Sequence, residues 1–556
     1  MTEAKFCPVE HFKKNMKEPG EEFEFRNVTE KEVEAVIDKL SPTKGSGADQ
    51  ISNLIIKKAK EVIVKPLTRI INQAIEEGEY PRSWKETVVI PLFKRKDKLE
   101  ASFYRPIHLL SKLSQVCEQI LLDQLVKHFD KFKLNAPTQH GFTSGRSCST
   151  AWAELYDYWT RGVDRGMYIG IYLTDQSSAF EVVDPKILDA KLKALKFKKA
   201  TRQLISTYLD NRAYVTRIGN KTSEKAYKSI GVAPGSKIGP FLYSVYISDL
   251  PKTTNGLTIC YADDASCSTV HQNPEKVVEN MEKDAKAITN YMRANRLCLA
   301  EDKSSFLLAN SKQKHRSEDV KNMSLDLGAN IIKQDRTAKI LGLTINNNLE
   351  FTDFLFGDQE EEEEGLIKKL KKRLGMGRKV SSLPFKQRKM VMSGIFMGKL
   401  AYGIEIYGAS TKGQLRQLQS LQNRAARMVT KNPRAVSSKE CLMQCGWLNV
   451  EDMINLRTLT LGYNIRLTES VPGLTKYIGR GRKDMSAEIV TYEQGQVEHV
   501  KLFSNSTIPR FQRLWNGLPK EVRASSPKEF KNKVKYMLKN TKDEDEVEGQ
   551  LTSEEM

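Results

Sequence analysis

Leu257-Thr258-Ile259-Cys260-Tyr261-Ala262-Asp263-Asp264-Ala265-Ser266-Cys267 is the stretch on which the reading of this chain turns. Small, β-branched and aromatic residues flank two adjacent carboxylates, and no proline interrupts them. The run reads as a strand, a tight turn carrying Asp263 and Asp264, and a returning strand. Adjacent carboxylates at a hairpin tip repel one another, and a divalent cation is one reason for them to coexist. Mg²⁺ takes few protein carboxylates and completes its shell with water and substrate phosphates. Taken alone, the pair reads equally as a solvated surface turn, because aspartate is a common turn residue. The rest of the chain has to decide.

Upstream, Tyr168 to Thr174 is a strand candidate that ends at Asp175. Ala179-Phe180 follows, and then Ile187, Leu188, Leu192 and Leu195 repeat at helical spacing. A strand–Asp–helix unit would hold Asp175 rigidly at a sheet edge. Set beside the Asp263-Asp264 hairpin, it supplies the third carboxylate needed to seat two metal ions between protein and substrate phosphates. Between these pieces lies Gly231 to Pro240, with three glycines and two prolines, leading into an apolar helix over 241–250. A loop with so little side-chain bulk can pass under a nucleotide or a base, and it can equally be a plain helix entry.

Nearer the N-terminus, Thr87 to Leu92 reads as a strand followed by Lys94-Arg95-Lys96 and Tyr104-Arg105-Pro106-Ile107. Cations around a strand–loop–strand unit suit phosphate, with Arg105 fitted for bidentate contact and the lysines for point charges. A basic hairpin with solvated charges is the other reading. Helical spacing appears over 30–40, 51–60, 67–77 and 113–125, and residues 1–28 show little periodicity. Gln139 to Ser147 is a glycine-containing basic loop, either a nucleic-acid approach or a turn. Past the hairpin, Glu360 to Glu364 reads as a solvated acidic loop or helix start, and Leu366, Leu370 and Leu374 share one helix face, leaving five cations on the remainder. Leu415, Leu418, Leu421, Ala425 and Met428 mark another amphipathic helix.

With 556 residues the chain is too long for one core, and two to four domains are expected. Its 89 Lys and Arg exceed its 69 Asp and Glu, a net charge of +20, although the last residues, from Asp543 to Glu555, are acidic. A basic excess on this scale argues for a polyanionic partner, nucleic acid ahead of membrane. No run of 18 apolar residues exists, so no membrane span is expected, and residues 1–20 do not read as a signal peptide. Eight scattered cysteines show no zinc-ligand spacing and read as ordinary thiols of a reducing compartment.

The pieces taken together resemble the reverse transcriptase of non-LTR, LINE-type retrotransposons of the jockey-like kind. The matching stretches, in family order, are Lys44-x-x-Gly47-x-Asp49, Trp84-Lys85, Ile90-Pro91-Leu92-x-Lys94, Tyr104-Arg105-Pro106-Ile107 and Gln139-x-Gly141-Phe142. After them come Asp175 with Ala179-Phe180, the Gly231 to Pro240 loop, Ile247-x-Asp249-Leu250-Pro251 and Tyr261-Ala262-Asp263-Asp264. Asn295-x-Leu297 with Lys303, Leu341-Gly342-Leu343, and Leu514-Trp515-Asn516-x-Leu518-Pro519 with Phe530-Lys531 complete the set. One such motif is weak, and this many in order are specific.

The resemblance implies an α+β right-hand polymerase with fingers, a palm built on an antiparallel sheet, a helical thumb and a small C-terminal module. It divides the chain into an N-terminal extension (1–84), fingers and palm (85–345), thumb (346–440), a basic module (441–540) and a disordered acidic tail (541–556). It makes Asp175, Asp263 and Asp264 the catalytic and metal-binding triad for two Mg²⁺ ions, with Mn²⁺ as substitute. Phe180 becomes the steric gate against a ribose 2′-OH, and Lys94 and Arg105 become contacts to the triphosphate. Gly235 and Ser236 lie under the nucleotide, Lys303 beside the triphosphate, and Leu341-Gly342 in the primer grip. The implied partners are an RNA template, a DNA primer, dNTPs and a nicked DNA target, in the nucleus. With so little chain ahead of Lys44 for an endonuclease, the nick is expected from another protein, or the chain is truncated. Three places depart from the family, one of them Ala300-Glu301-Asp302-Lys303 in place of a more regular Asn-containing version. Ala233-Pro234-Gly235 stands where Pro-Gln-Gly is usual, and Glu181 where Asp is. These departures keep open a second reading, a binding protein descended from such a polymerase that no longer catalyses.

Overall fold

A computed structural model describes residues 6–551 apart from 44, 95–96, 178, 301–303, 312–322, 329, 359–362, 480, 482–483 and 490–500. Lys44 and Lys303, and most of the Glu360–Glu364 run, therefore lie outside the described residues. Numbered along the chain, the strands of five residues or more among those described are β1 (Glu86–Phe93), β2 (Tyr104–Leu110), β3 (Tyr168–Thr174), β4 (Arg212–Ile218), β5 (Leu257–Tyr261), β6 (Asp264–His271) and β7 (Ser305–Ala309). They alternate with many helices, so the fold is α+β.

Two sheets matter. In the first the order is β2-β1-β4, extended by short strands at Lys221–Thr222 and Ala226–Lys228. β1 and β2 form an antiparallel hairpin, whereas β1 and β4 run parallel, a pairing the local pattern does not disclose. In the second the order is β7-β3-β6-β5, with β7 antiparallel to β3 from Ser305 opposite Leu173 to Ala309 opposite Ile169. β3 is apolar on both faces and buried along nearly its whole length, as a central strand must be. Gly170 in its middle admits the helix Pro274–Ala294: a Cβ there would stand 2.7 Å from Val277 Cγ1.

The chain divides into two compact units, one formed by 1–142, 174–265 and 283–304, the other by 143–173, 266–282 and 305–556. All three candidate carboxylates belong to the first. The second unit is built around the helix Cys148–Asp164, most of whose residues are buried. Trp152 Nε1 donates to Ile340 O (3.0 Å), Tyr156 OH to Leu349 O (3.1 Å) and Trp159 Nε1 to Ser268 Oγ (2.8 Å). Arg161 pairs with buried Asp157 at 2.7 Å and lies 3.8 Å from the Tyr477 ring centroid. Tyr477 is thereby held against the same helix that carries the tryptophans.

The expected helix after the acidic run spans Leu366–Arg378, with Leu366, Leu370 and Leu374 all buried. Glu363 and Glu364 are not a helix start but a short strand paired with Gly357–Asp358. In the helix Lys412–Thr430 the buried stripe is Leu418, Leu421, Gln422, Ala425, Ala426 and Val429, so Leu415 and Met428 fall at its margin. The N-terminal 28 residues, which read as aperiodic, hold a helix at Pro8–Asn15 and bury Phe12, Phe23 and Phe25. Their order comes from partners far along the chain: Phe23 N–H donates to Lys196 O, and the Phe23 carbonyl accepts from Lys198 N–H.

Candidate functional site

β5 and β6 are joined by Ala262 and Asp263, with Asp264 opening β6, as the alternating small and apolar residues predict. Ala262 holds φ +57°, a left-handed conformation that a non-glycine residue adopts only where its surroundings compel it. The compulsion is the Gln139-His140-Gly141 segment. His140 N–H donates to Cys260 O (2.8 Å), Cys260 N–H donates to Thr138 O (2.9 Å), and Gln139 Oε1 accepts from both Gly141 N–H (2.9 Å) and Ala262 N–H (3.1 Å). A Cβ on Gly141 would sit 2.3 Å from Ala262 N. This glycine is therefore required by the carboxylate turn, a role that the sequence left undecided between nucleic-acid approach and ordinary turn.

Asp175 directly follows β3, and its carbonyl accepts from Ala300 N–H at 2.9 Å. The short antiparallel pair of Gln176–Ser177 with Cys298–Leu299 holds it from the other side. Because β3 and β6 are neighbours in the sheet, the end of one strand and the start of the other bring Asp175 and Asp264 to one edge. Asp175 and Asp263 are half-buried, and Asp264 is exposed. Beside them, the Tyr243 hydroxyl donates to Oε1 of Gln176, the residue after Asp175, at 2.6 Å. Burial, followed by the field of Asp263 and more weakly that of Asp264, holds its phenol well above the ordinary value, so it remains a neutral donor. Tyr243 reads in sequence as one more apolar helix residue, and only the fold gives it this place.

Phe180 lies against Tyr243, ring centroids 4.8 Å apart, and edge-on to Phe142 at 6.1 Å. The Gly231–Pro240 loop is stitched to the same segment by Val232 N–H to Phe180 O (2.7 Å) and Gly231 N–H to Val183 O (2.8 Å). Gly235, at φ +84°, is exposed, and a Cβ there would stand 3.2 Å from His108 O. Ser236 is buried, and its Oγ accepts from Gly239 N–H at 2.9 Å, which opens the helix Gly239–Tyr246. Glu118, fully buried, accepts from Lys237 N–H (2.6 Å) and Ser114 Oγ (3.0 Å) and so fastens the loop from below. Burial pushes its carboxyl up, with the Lys237 amide opposing. Nothing in the spacing of its helix distinguishes Glu118 as a loop anchor. Lys94 and Arg105 are exposed on the β1–β2 hairpin. Arg105 faces Leu92 across the pair, and the two-residue period puts Lys94 on that same face.

Among the described residues, no group of three or more His, Cys, Asp and Glu side chains forms a ready metal cage. The donors at this edge are nevertheless the hard carboxylate oxygens that suit Mg²⁺, which is held by one or two carboxylates together with water and substrate phosphates rather than by an all-protein cage. The residues present fit such an ion.

Residues 94–345 match the reverse transcriptase (RNA-dependent DNA polymerase) family. The carboxylate turn, the strand-end aspartate and the glycine-rich loop all fall inside that match, which defines a reverse transcriptase domain. The chain is 24% identical over 456 residues to the probable RNA-directed DNA polymerase from transposon BS of Drosophila melanogaster, covering 79% of this chain and 49% of that one. It is 25% identical over 422 residues to the RNA-directed DNA polymerase from mobile element jockey of the same species, covering 73% and 44%. The probable RNA-directed DNA polymerase from transposon X-element of Drosophila melanogaster is 22% identical over 409 residues, covering 72% and 43%. The chain thus spans about half the length of the curated relatives it matches.

Proposed function

We propose that this chain is an RNA-directed DNA polymerase that extends the 3′-OH of a DNA primer on an RNA template, the primer being supplied by a nicked DNA target. The observation that carries the reading is the meeting of Asp175 and Asp264 where neighbouring strands of one sheet end and begin. Two divalent cations held by Asp175, Asp263 and Asp264 would activate the primer hydroxyl and offset the charge of the triphosphate and its leaving pyrophosphate. The protein's own part is positioning. The Gln139–Gly141 clamp fixes the Asp263 turn, Phe180 sits where a ribose 2′-OH would be excluded, and Gly235 presents bare backbone beside the hairpin. Lys94 and Arg105 offer cations to the triphosphate on that hairpin, and Lys303 belongs to the same role by resemblance. Positioning and electrostatics are what phosphoryl and nucleotidyl transfer chiefly need.

By the same resemblance, 85–345 form fingers and palm, 346–440 the thumb and 441–540 a basic module. Of these, 85–345 includes parts of both compact units, whereas 346–540 lies within the second. Leu341-Gly342 would form the primer grip. The turn is backed by Tyr402, whose hydroxyl donates to Leu341 O at 2.6 Å.

Primer extension on an RNA template with dNTPs and Mg²⁺ tests the reading. Extension is expected, together with its loss on chelation and its abolition in Asp263→Ala with template binding retained. Near-normal extension by Asp263→Ala would overturn the site. A second reading is favoured by Pro234, which stands where the family usually has a glutamine whose side chain would reach the nucleotide or template. It makes the chain a nucleic-acid-binding protein without catalysis. Tight template binding that tolerates chelation, with no extension, would establish that reading instead.

A further inference from the structure

Glu181 directly follows Phe180; its side chain has one ion-pair partner, and its charge is felt by a nearby imidazole. Lys228, at the end of the strand Ala226–Lys228, puts Nζ 3.9 Å from Glu181 Oε2, with both side chains about two-fifths exposed (39% and 40%). An ion pair of that length and exposure is weak and easily opened. On β2, His108 feels the charge of Glu181, and both of its ring nitrogens are buried without a hydrogen-bond partner. A buried imidazole left this way carries a desolvation cost that a carboxylate would remove. The other groups facing His108 are Arg212 and Lys228, and the Tyr214 ring lies 5.8 Å away. Burial first, and then these cations, hold its pKa below the ordinary value against the opposing field of Glu181.

The backbone beside Glu181 has no such freedom. Gly231 and Val232 bind the carbonyls of Val183 and Phe180, and a Cβ on Gly231, which holds φ +83°, would stand 2.5 Å from Glu181 O. The Lys228–Glu181 pair is the third link between the same two segments and the one with an alternative partner. We propose that Glu181 is a specificity-determining positioning residue. Paired with Lys228 it holds the Phe180 ring against Tyr243, and drawn to His108 it lets that ring relax, so the pair sets the preference for deoxyribose over ribose in the incoming nucleotide. The inference rests on the polymerase reading and on Phe180 as the group that meets the sugar.

The test is the ratio of kcat/KM for dNTP over rNTP in single-nucleotide extension by the full chain, with thermal melting as a check on folding. Glu181→Gln is expected to lower the ratio about two- to fivefold, the range of a partly exposed ion pair. The double charge reversal Glu181→Lys with Lys228→Glu is expected to recover at least half of the loss, which a merely structural defect would not do. An unchanged ratio in Glu181→Gln, or no recovery in the double reversal, overturns the inference. Phe180→Ala separates the two layers. If it shifts the ratio while Glu181→Gln does not, only the positioning role fails. If neither variant shifts it, or the wild-type chain extends nothing, the underlying reading fails as well.

Discussion

At the residue scale, the candidate site depends on a few backbone demands that are specific to one position. Gly141 is the sharpest of them, because the Ala262 amide lies where its side chain would begin. Gly141→Ala must push the Ala262-Asp263 turn aside. A displacement of order 1 Å at a reacting centre costs about 10²-fold in rate. The expected outcome is a loss of kcat of that order in primer extension, with primer–template affinity nearly unchanged. Equal losses in both would mean that the segment binds nucleic acid rather than shaping the turn. Ala262 itself shows how far the clamp prevails over local preference, since alanine has no intrinsic reason to take a positive φ.

At the element scale, β3 explains itself once its neighbours are in place. Its two apolar faces need cover on both sides, and the helix Pro274–Ala294 covers one of them at Gly170. Gly170→Ala should overpack that contact and destabilise the protein by about 1–3 kcal/mol, read as a lower urea midpoint. An unchanged midpoint would show that the helix can shift without cost. The helix Cys148–Asp164 follows the same logic in the other unit: two tryptophans and a tyrosine are buried, and each hydrogen of theirs that needs a partner finds one. The amphipathic stripe of Lys412–Thr430 was legible as a helix, while its centre was set by what packs against it.

At the scale of the whole molecule, the N-terminal helix is tied to the motif Ile247-x-Asp249-Leu250-Pro251. Lys191, fully buried, donates to Asp249 Oδ1 (2.9 Å), to Tyr246 O (2.5 Å) and to Tyr291 OH (3.3 Å), and His11 meets Asp249 Oδ2 at 2.7 Å. Burial pushes Asp249 up, but the His11 hydrogen bond, the Lys191 ammonium and Tyr291 outweigh it and leave the carboxyl below its ordinary value. A carboxyl depressed in the folded state stabilises above its unfolded pKa, about 3.9, and that stability is lost as pH falls through the lower folded value. Urea midpoints of the wild-type chain should therefore fall more steeply below pH ~4 than those of Asp249→Asn. Parallel profiles would remove Asp249 from the account. At neutral pH, Lys191→Met should cost about 3–5 kcal/mol, because it leaves a buried carboxylate without its cation.

The sequence by itself determined the parts whose information is local. The Asp263-Asp264 hairpin, the strand ending at Asp175 and the glycine-rich loop each carry their own periodicity or turn chemistry, and together with the other motifs in order they carried the resemblance to a family. The parallel pairing of β1 with β4, the roles of Gln139, Tyr243 and Glu118, and the order of residues 8–28 were decided only by the tertiary structure. In each case the deciding partner lies tens to hundreds of residues away, as Asp249 does from His11. A hydrogen bond or buried ring that closes such a distance leaves no trace in the spacing of its neighbours, because its energy is realised only when the rest of the fold has brought the two ends together.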